Sequence, residues 1–88
     1  MAKRVVWSED SLRDRKRIAN YWQWRLGNKK YASKLDKKFR DIARVIRLQP
    51  YGGSRVKGRG TRYYVVGPYQ VFYRMKDDVV EIVRVWDS

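Results

Sequence analysis

"RYYVVGPYQVFYR", Arg62–Arg74, decides how this chain reads. Two runs rich in β-branched and aromatic residues flank Gly67-Pro68, and an arginine stands at each outer end. Such runs, separated by a Gly-Pro pair, predict two strands joined by a turn. Side chains alternate along a strand, so Tyr69, Val71 and Tyr73 point one way while Gln70, Phe72 and Arg74 point the other. A sheet with one wet face separates apolar from polar residues more cleanly than this. Here both faces carry bulk.

Toward the C-terminus, Lys76-Asp77-Asp78 turns the chain into a further run. Strict alternation there groups Val79, Val83 and Val85 with Glu81, and Val80, Ile82 and Trp86 with Arg84. The expected strands are Arg62–Val66, Tyr69–Arg74 and Val79–Trp86, an antiparallel meander. Toward the N-terminus lies "GGSRVKGRGT", Gly52–Thr61, a glycine-rich loop carrying Arg55, Lys57 and Arg59. Before it, Tyr31, Leu35, Phe39, Ile42, Val45 and Ile46 form the apolar stripe of a helix over Lys30–Leu48, ended by Pro50 and Gly52-Gly53.

An earlier helix starts after Ser8, a capping residue, with Glu9 and Asp10 matching the positive end of the helix dipole. Leu12, Ile18, Ala19, Trp22 and Leu26 recur at helical spacing, and Gly27-Asn28 is its stop. "KRVVW", Lys3–Trp7, reads as a short opening strand whose pairing the sequence does not fix. The expectation is one α+β domain over 1–88, ordered β-α-α-β-β-β, with a helical hairpin packed on one face of a mainly antiparallel sheet. Trp7, Trp22, Leu35, Phe39 and Ile42 are expected in the core, and Trp24 lies beside the helical stripe.

Two helices can roof only one face of that sheet. The other should keep an aromatic patch edged by cations, the usual mark of a partner site. Tyr64, Phe72, Arg74, Arg84 and Trp86 are the expected contacts. Charge points the same way. Among 88 residues, 22 Lys and Arg face 9 Asp and Glu, for a net charge of +13. Solubility alone needs roughly 2–8, so a polyanion or an acidic protein is the expected partner.

The same composition narrows the chemistry. No cysteine or histidine is present, which removes disulfides, thiolate and imidazole metal sites and the usual general base; no metal or cofactor is expected. No apolar run approaches the roughly 20 residues of a membrane span, and no signal-peptide pattern opens the chain, so a cytoplasmic protein is expected. "GGSRVKGRG" matches a phosphate-binding P-loop only loosely, because that motif ends in Lys-Ser/Thr and opens a helix. The aromatic pattern of RRM domains and the spacings of KH and zinc modules are missing. RNA cleavage without histidine would need cations on the phosphate and a carboxylate taking the proton. Arg55, Lys57, Arg59, Arg62 and Tyr63 could supply the cations and a phenol, and Arg55, Lys57, Arg62, Arg74 and Arg84 a different phosphate-holding set.

With these elements placed, the chain resembles the RelE/ParE superfamily of bacterial type II toxins over essentially its whole length. The resemblance is carried by "VVWSEDSLRDRKRIANYW" (Val5–Trp22) and "GTRYYVVGPYQVFYRMKDDVVEIVRVWD" (Gly60–Asp87), most specifically by "VVGPYQVFYR". It implies a toxin of a plasmid-stabilisation or stress-response system that inhibits growth. A cognate antitoxin with an acidic or amphipathic flexible segment would neutralise it. The RelE-like branch cleaves mRNA on the ribosome; the ParE-like branch acts on DNA gyrase. Where the RelE-like branch places lysines and an arginine on its central strands, this chain has Tyr63, Val65 and Gln70. The resemblance is therefore closer to the ParE-like branch and implies inhibition of gyrase by binding. A ribosome-dependent mRNA endoribonuclease is the alternative.

Overall fold

Hydrophobic periodicity places the elements close to where the sequence predicts them. The computed structural model describes residues 4–87. It contains β1 (Arg4–Trp7), α1 (Glu9–Leu26), α2 (Lys30–Leu48), β2 (Ser54–Arg55), β3 (Thr61–Val66), β4 (Tyr69–Lys76) and β5 (Val79–Asp87). Lys3, expected to open the first strand, lies outside the described residues. The sheet order is β1-β5-β4-β3-β2. The β5-β4-β3-β2 ladder is antiparallel, and β1 pairs parallel to β5, with Val5 opposite Val80 and Trp7 opposite Ile82. The architecture is α+β, with both helices on one face of an open five-stranded sheet.

The core lies between that face and the helices. Val66, Tyr69, Val71, Tyr73, Val80, Ile82 and Val85 meet Ile18 of α1 and Leu35, Phe39 and Ile46 of α2. Each fully buried side chain of this size stabilises the fold by roughly 1.5–3 kcal/mol. Trp7, Trp22 and Ile42 pack at the margin of this core as partly buried residues, whereas Trp24 is 78% exposed. The Trp22 indole Nε1–H donates to Tyr69 Oη at 2.7 Å, which gives the buried phenol a partner. Arg15 joins the layers. Its Nη2 donates to Asp36 of α2 at 2.8 Å, and its guanidinium lies 4.5 Å from the centre of the Trp7 ring.

Ser8 caps α1 as expected, its Oγ accepting from the Ser11 N–H at 3.0 Å. Gly27 closes the helix in the left-handed region (φ 70°), which glycine enters without strain. The buried face of α1 differs from the expected stripe. Ser11, Asp14 and Ile18 are buried, while Leu12 and Leu26 are exposed. Val45 of α2 is likewise exposed. One helical position is a rotation of about 100°, enough to carry Leu12 past the contact that Ser11 makes.

Strict alternation in β5 is also corrected. The β4–β5 register slips between Phe72 and Tyr73, so that Phe72 faces Arg84 while Tyr73 faces Ile82. Val83 is the extra residue of this bulge. It inverts the face of everything after it: Val80, Ile82 and Val85 are all buried under the helices, and Trp86 emerges on the opposite side. Arg84 accordingly does not share a face with Val80 and Ile82, nor does Val85 share one with Val79 and Glu81.

Candidate functional site

The uncovered face of the sheet carries a row of aromatic rings. Tyr63 of β3 is opposite Phe72 of β4, and Gln70 is opposite Trp86 of β5. The Tyr63 and Phe72 ring centres are 5.6 Å apart, and those of Phe72 and Trp86 5.5 Å apart in an edge-on contact. Val65 is 61% exposed beside this row and Trp86 49% exposed at its end. Phe72, Val83, Trp86, Val56 and Thr61, with Arg59 and Arg84, enclose a depression of about 370 Å³. It is an apolar floor with two guanidinium groups on its rim.

Arg84 is fixed there from behind. β1 stops pairing at Ile82, and beyond it α1 lies against β5. Ser8 donates its hydroxyl to the Val83 carbonyl at 3.0 Å, and Asp14 Oδ2 accepts from the Val85 N–H at 2.9 Å. Helix side chains thus satisfy backbone groups at the bulge. The same carboxylate takes Arg84 at both oxygens, Nε to Oδ2 at 2.8 Å and Nη2 to Oδ1 at 3.1 Å, and receives Arg17 at 3.2 Å. Burial by itself pushes the Asp14 carboxyl up, but the bonds from Arg84, the Val85 N–H and Arg17 outweigh it and hold it below its ordinary value. The Arg84 guanidinium, so aimed, lies 5.2 Å from the Trp86 ring centre.

A second depression, of about 200 Å³, opens at the β2–β3 end of the sheet. Arg55, Arg59, Arg62 and Arg74 line it together with Tyr51 and Tyr73. Ser54 and Arg55, expected within a loop, form a short edge strand opposite Tyr63 and Arg62. A close approach at Gly53 seats that strand. Its N–H donates to Tyr73 Oη at 3.0 Å, and the phenol donates onward to the Pro50 carbonyl at 2.9 Å. A Cβ at Gly53 would collide with the Tyr73 hydroxyl and lie 2.9 Å from the Tyr63 carbonyl. Arg62 Nη1 clamps the same segment through the Tyr51 and Gly53 carbonyls, both at 3.1 Å.

The residues expected to contact a partner divide between the faces. Phe72, Arg74, Arg84 and Trp86 lie on the uncovered side. Tyr64 lies on the helix side, stacked on Tyr73 at 5.8 Å and donating its hydroxyl to the Gln49 carbonyl at 3.1 Å. Its neighbour Tyr63 takes the outward place. The candidate cleavage set divides as well. Arg55, Arg62 and Arg74 come together at the smaller depression, Tyr63 and Arg84 stand in the aromatic row, and Lys57 is exposed on the loop. Three of these cations already have partners within the chain: Arg62 the two carbonyls, Arg74 the Glu81 carboxylate at 2.8 Å, and Arg84 Asp14. Asp14 was not among the expected site residues; an acid between arginines on a helix reads as solvated surface, and its burial follows only from the β5 bulge.

Among the described residues, no group of acidic side chains could hold a metal ion, and no helix is long and apolar enough to cross a membrane.

No curated protein matches the chain in sequence. Solved structures match its fold. A chain of the chromosomal ParDE toxin–antitoxin system from P. aeruginosa superposes with a TM-score of 0.83 at 17% identity, covering 96% of this chain and 94% of that one. The YoeB/ParE toxin from Agrobacterium tumefaciens gives a TM-score of 0.70 at 18% identity, covering 97% and 98%. A chain of the toxin–antitoxin complex RelBE2 from Mycobacterium tuberculosis gives 0.59 at 22% identity, with full coverage of both. The family model for the ParE toxin of the type II toxin–antitoxin system parDE matches residues 5–88. The chain therefore belongs to the ParE toxin family of type II toxin–antitoxin systems.

Proposed function

We propose that this toxin arrests growth by binding DNA gyrase, and that a cognate antitoxin neutralises it by seating an acidic, partly apolar segment on the uncovered sheet face. The observation that carries the partner site is the Tyr63–Phe72–Trp86 row, rimmed by Arg59 and Arg84 and left bare by both helices. A flexible segment that orders on binding must recover its lost entropy. An aromatic floor supplies contact area, and a net charge of +13 supplies attraction and a fast encounter. The solved ParDE system and RelBE2 complex, by their names, pair a toxin with an antitoxin, which favours such a partner here.

Gyrase as target is supported by membership of the ParE family and by the internal commitments of the candidate cleavage residues. Arg62 holds a loop, Arg74 an acid and Arg84 a buried carboxylate, so these three act in the fold before they act on a substrate. The purified protein should inhibit supercoiling of relaxed plasmid by gyrase and leave mRNA on translating ribosomes intact. Site-specific cuts in that mRNA would overturn this reading. One observation favours the second reading, ribosome-dependent mRNA cleavage: Arg55, Arg62 and Arg74 do line one depression.

A further inference from the structure

We infer that the arginine-lined cleft at the β2–β3 end is a binding site for backbone phosphates of nucleic acid. Four arginines, Arg55, Arg59, Arg62 and Arg74, line a cleft of about 200 Å³. The carboxylate paired with any of them is Glu81, which takes Arg74 at 2.8 Å. Among the described residues, Arg55 and Arg59 have no ion pair. Arg62 bonds to two carbonyls and lies over the Tyr51 ring, neutral partners that leave its net charge in place. Three uncompensated cations around one small cavity repel one another. An anion between them removes that repulsion, and planar guanidinium groups suit the geometry of phosphate oxygens.

The cavity also has a fixed frame. The Tyr73 phenol is held between the Gly53 N–H and the Pro50 carbonyl, and the Arg62 clamp positions β2 beside it. Burial raises the Tyr73 phenol above its ordinary value, so at neutral pH it remains a donor and not a base. A chain of phosphates fits better than a single ion. The cleft opens beside Arg59 and Thr61, which also wall the aromatic depression, so a bound strand can continue past its first phosphate. This binding is independent of whether gyrase or the ribosome is the target, since both work on nucleic acid.

The test uses the full chain and fluorescein-labelled single-stranded DNA and RNA of one sequence, followed by anisotropy across a salt series. R55A/R59A should weaken binding at least about tenfold and shrink the slope of log K against log salt by about 1.4, given roughly 0.7 counterion released per neutralised phosphate on a single strand. K34A/K38A removes the same charge from exposed positions on α2 and should change affinity less than about threefold. Circular dichroism melts matching wild type establish that both variants fold. Comparison of the DNA and RNA arms identifies which backbone is preferred. Equal weakening by the two double variants would make the attraction diffuse and overturn the site. So would wild-type protein that ignores both oligonucleotides, or that binds polyglutamate through Arg55 and Arg59 in their place.

Discussion

Arg84 and Asp14, 70 residues apart in sequence, meet through two hydrogen bonds of 2.8 and 3.1 Å, and the same carboxylate accepts the Val85 N–H. A carboxylate whose side chain is 4% exposed thus ties α1 to the β5 bulge and aims a cation at the uncovered face. Removing one partner of a buried pair strands the other. Asp14→Ala should therefore cost about 3 kcal/mol, the low end of the usual range of roughly 3–5, because Arg84 can still reach water. Urea unfolding monitored by circular dichroism measures this. A loss under about 1 kcal/mol would mean that the bulge holds without its carboxylate.

The Asp14 bonds also set a pH dependence. The carboxyl sits below its ordinary value of 3.8 in the folded protein. Its contribution is thus complete above the unfolded value and is lost as pH falls through the folded one. Wild-type stability should decline from about pH 5 downward, and the decline should be shallower in Asp14→Asn. Some slope should remain, because Lys37 also holds the exposed Asp41 below its ordinary value. Parallel pH–stability curves for the two proteins would remove Asp14 as the cause.

Much of this architecture was legible in the residues, for reasons that also explain what was not. Lys30–Leu48 and the strands around Gly67-Pro68 announce themselves because periodicity and turn chemistry agree over many residues. The uncovered face was legible too, since both sides of β4 carry bulk and the helices cover one. The face of Trp86 was not deducible from alternation, because one inserted residue at Val83 reverses parity and leaves no mark in composition. Tyr63 and Tyr64 are chemically alike, so only the register against Phe72 and Val71 shows which turns outward. Ser54–Arg55 forms a strand through the Gly53–Tyr73 contact, a long-range fit that a glycine-rich stretch does not advertise.

That contact makes a sharp prediction. Gly53→Ala places a methyl group against the Tyr73 hydroxyl and should destabilise the fold by about 1–3 kcal/mol, the ordinary cost of overpacking. Tyr73→Phe loses the donor to Pro50 and the acceptor for Gly53, at about 1–3 kcal/mol. The two should not add, because deleting the hydroxyl removes the main obstacle to the methyl. A double-mutant cycle from thermal or urea unfolding should give a coupling of at least about 0.5 kcal/mol. Additive losses would show that the methyl's clash lies with the Tyr63 carbonyl instead.

The partner surface can be separated from the core by comparing tryptophans. Trp86 closes the aromatic row and is 49% exposed, whereas Trp24 is 78% exposed on α1, away from that row. Both can be truncated at little cost to folding, about 1 kcal/mol or less for Trp86, whose half-exposed ring meets Phe72 edge-on and the Arg84 guanidinium. As a contact of the proposed antitoxin segment, Trp86 should act as a hot spot. Trp86→Ala should cost at least about 2 kcal/mol of antitoxin affinity, roughly thirtyfold, by calorimetry against the cognate antitoxin. Trp24→Ala should bind within about threefold of wild type, and both variants should keep their growth-inhibiting activity when expressed without the antitoxin. The reverse pattern, with Trp24 essential for neutralisation and Trp86 dispensable, would move the antitoxin to the helical hairpin and leave the aromatic row to the toxin's target.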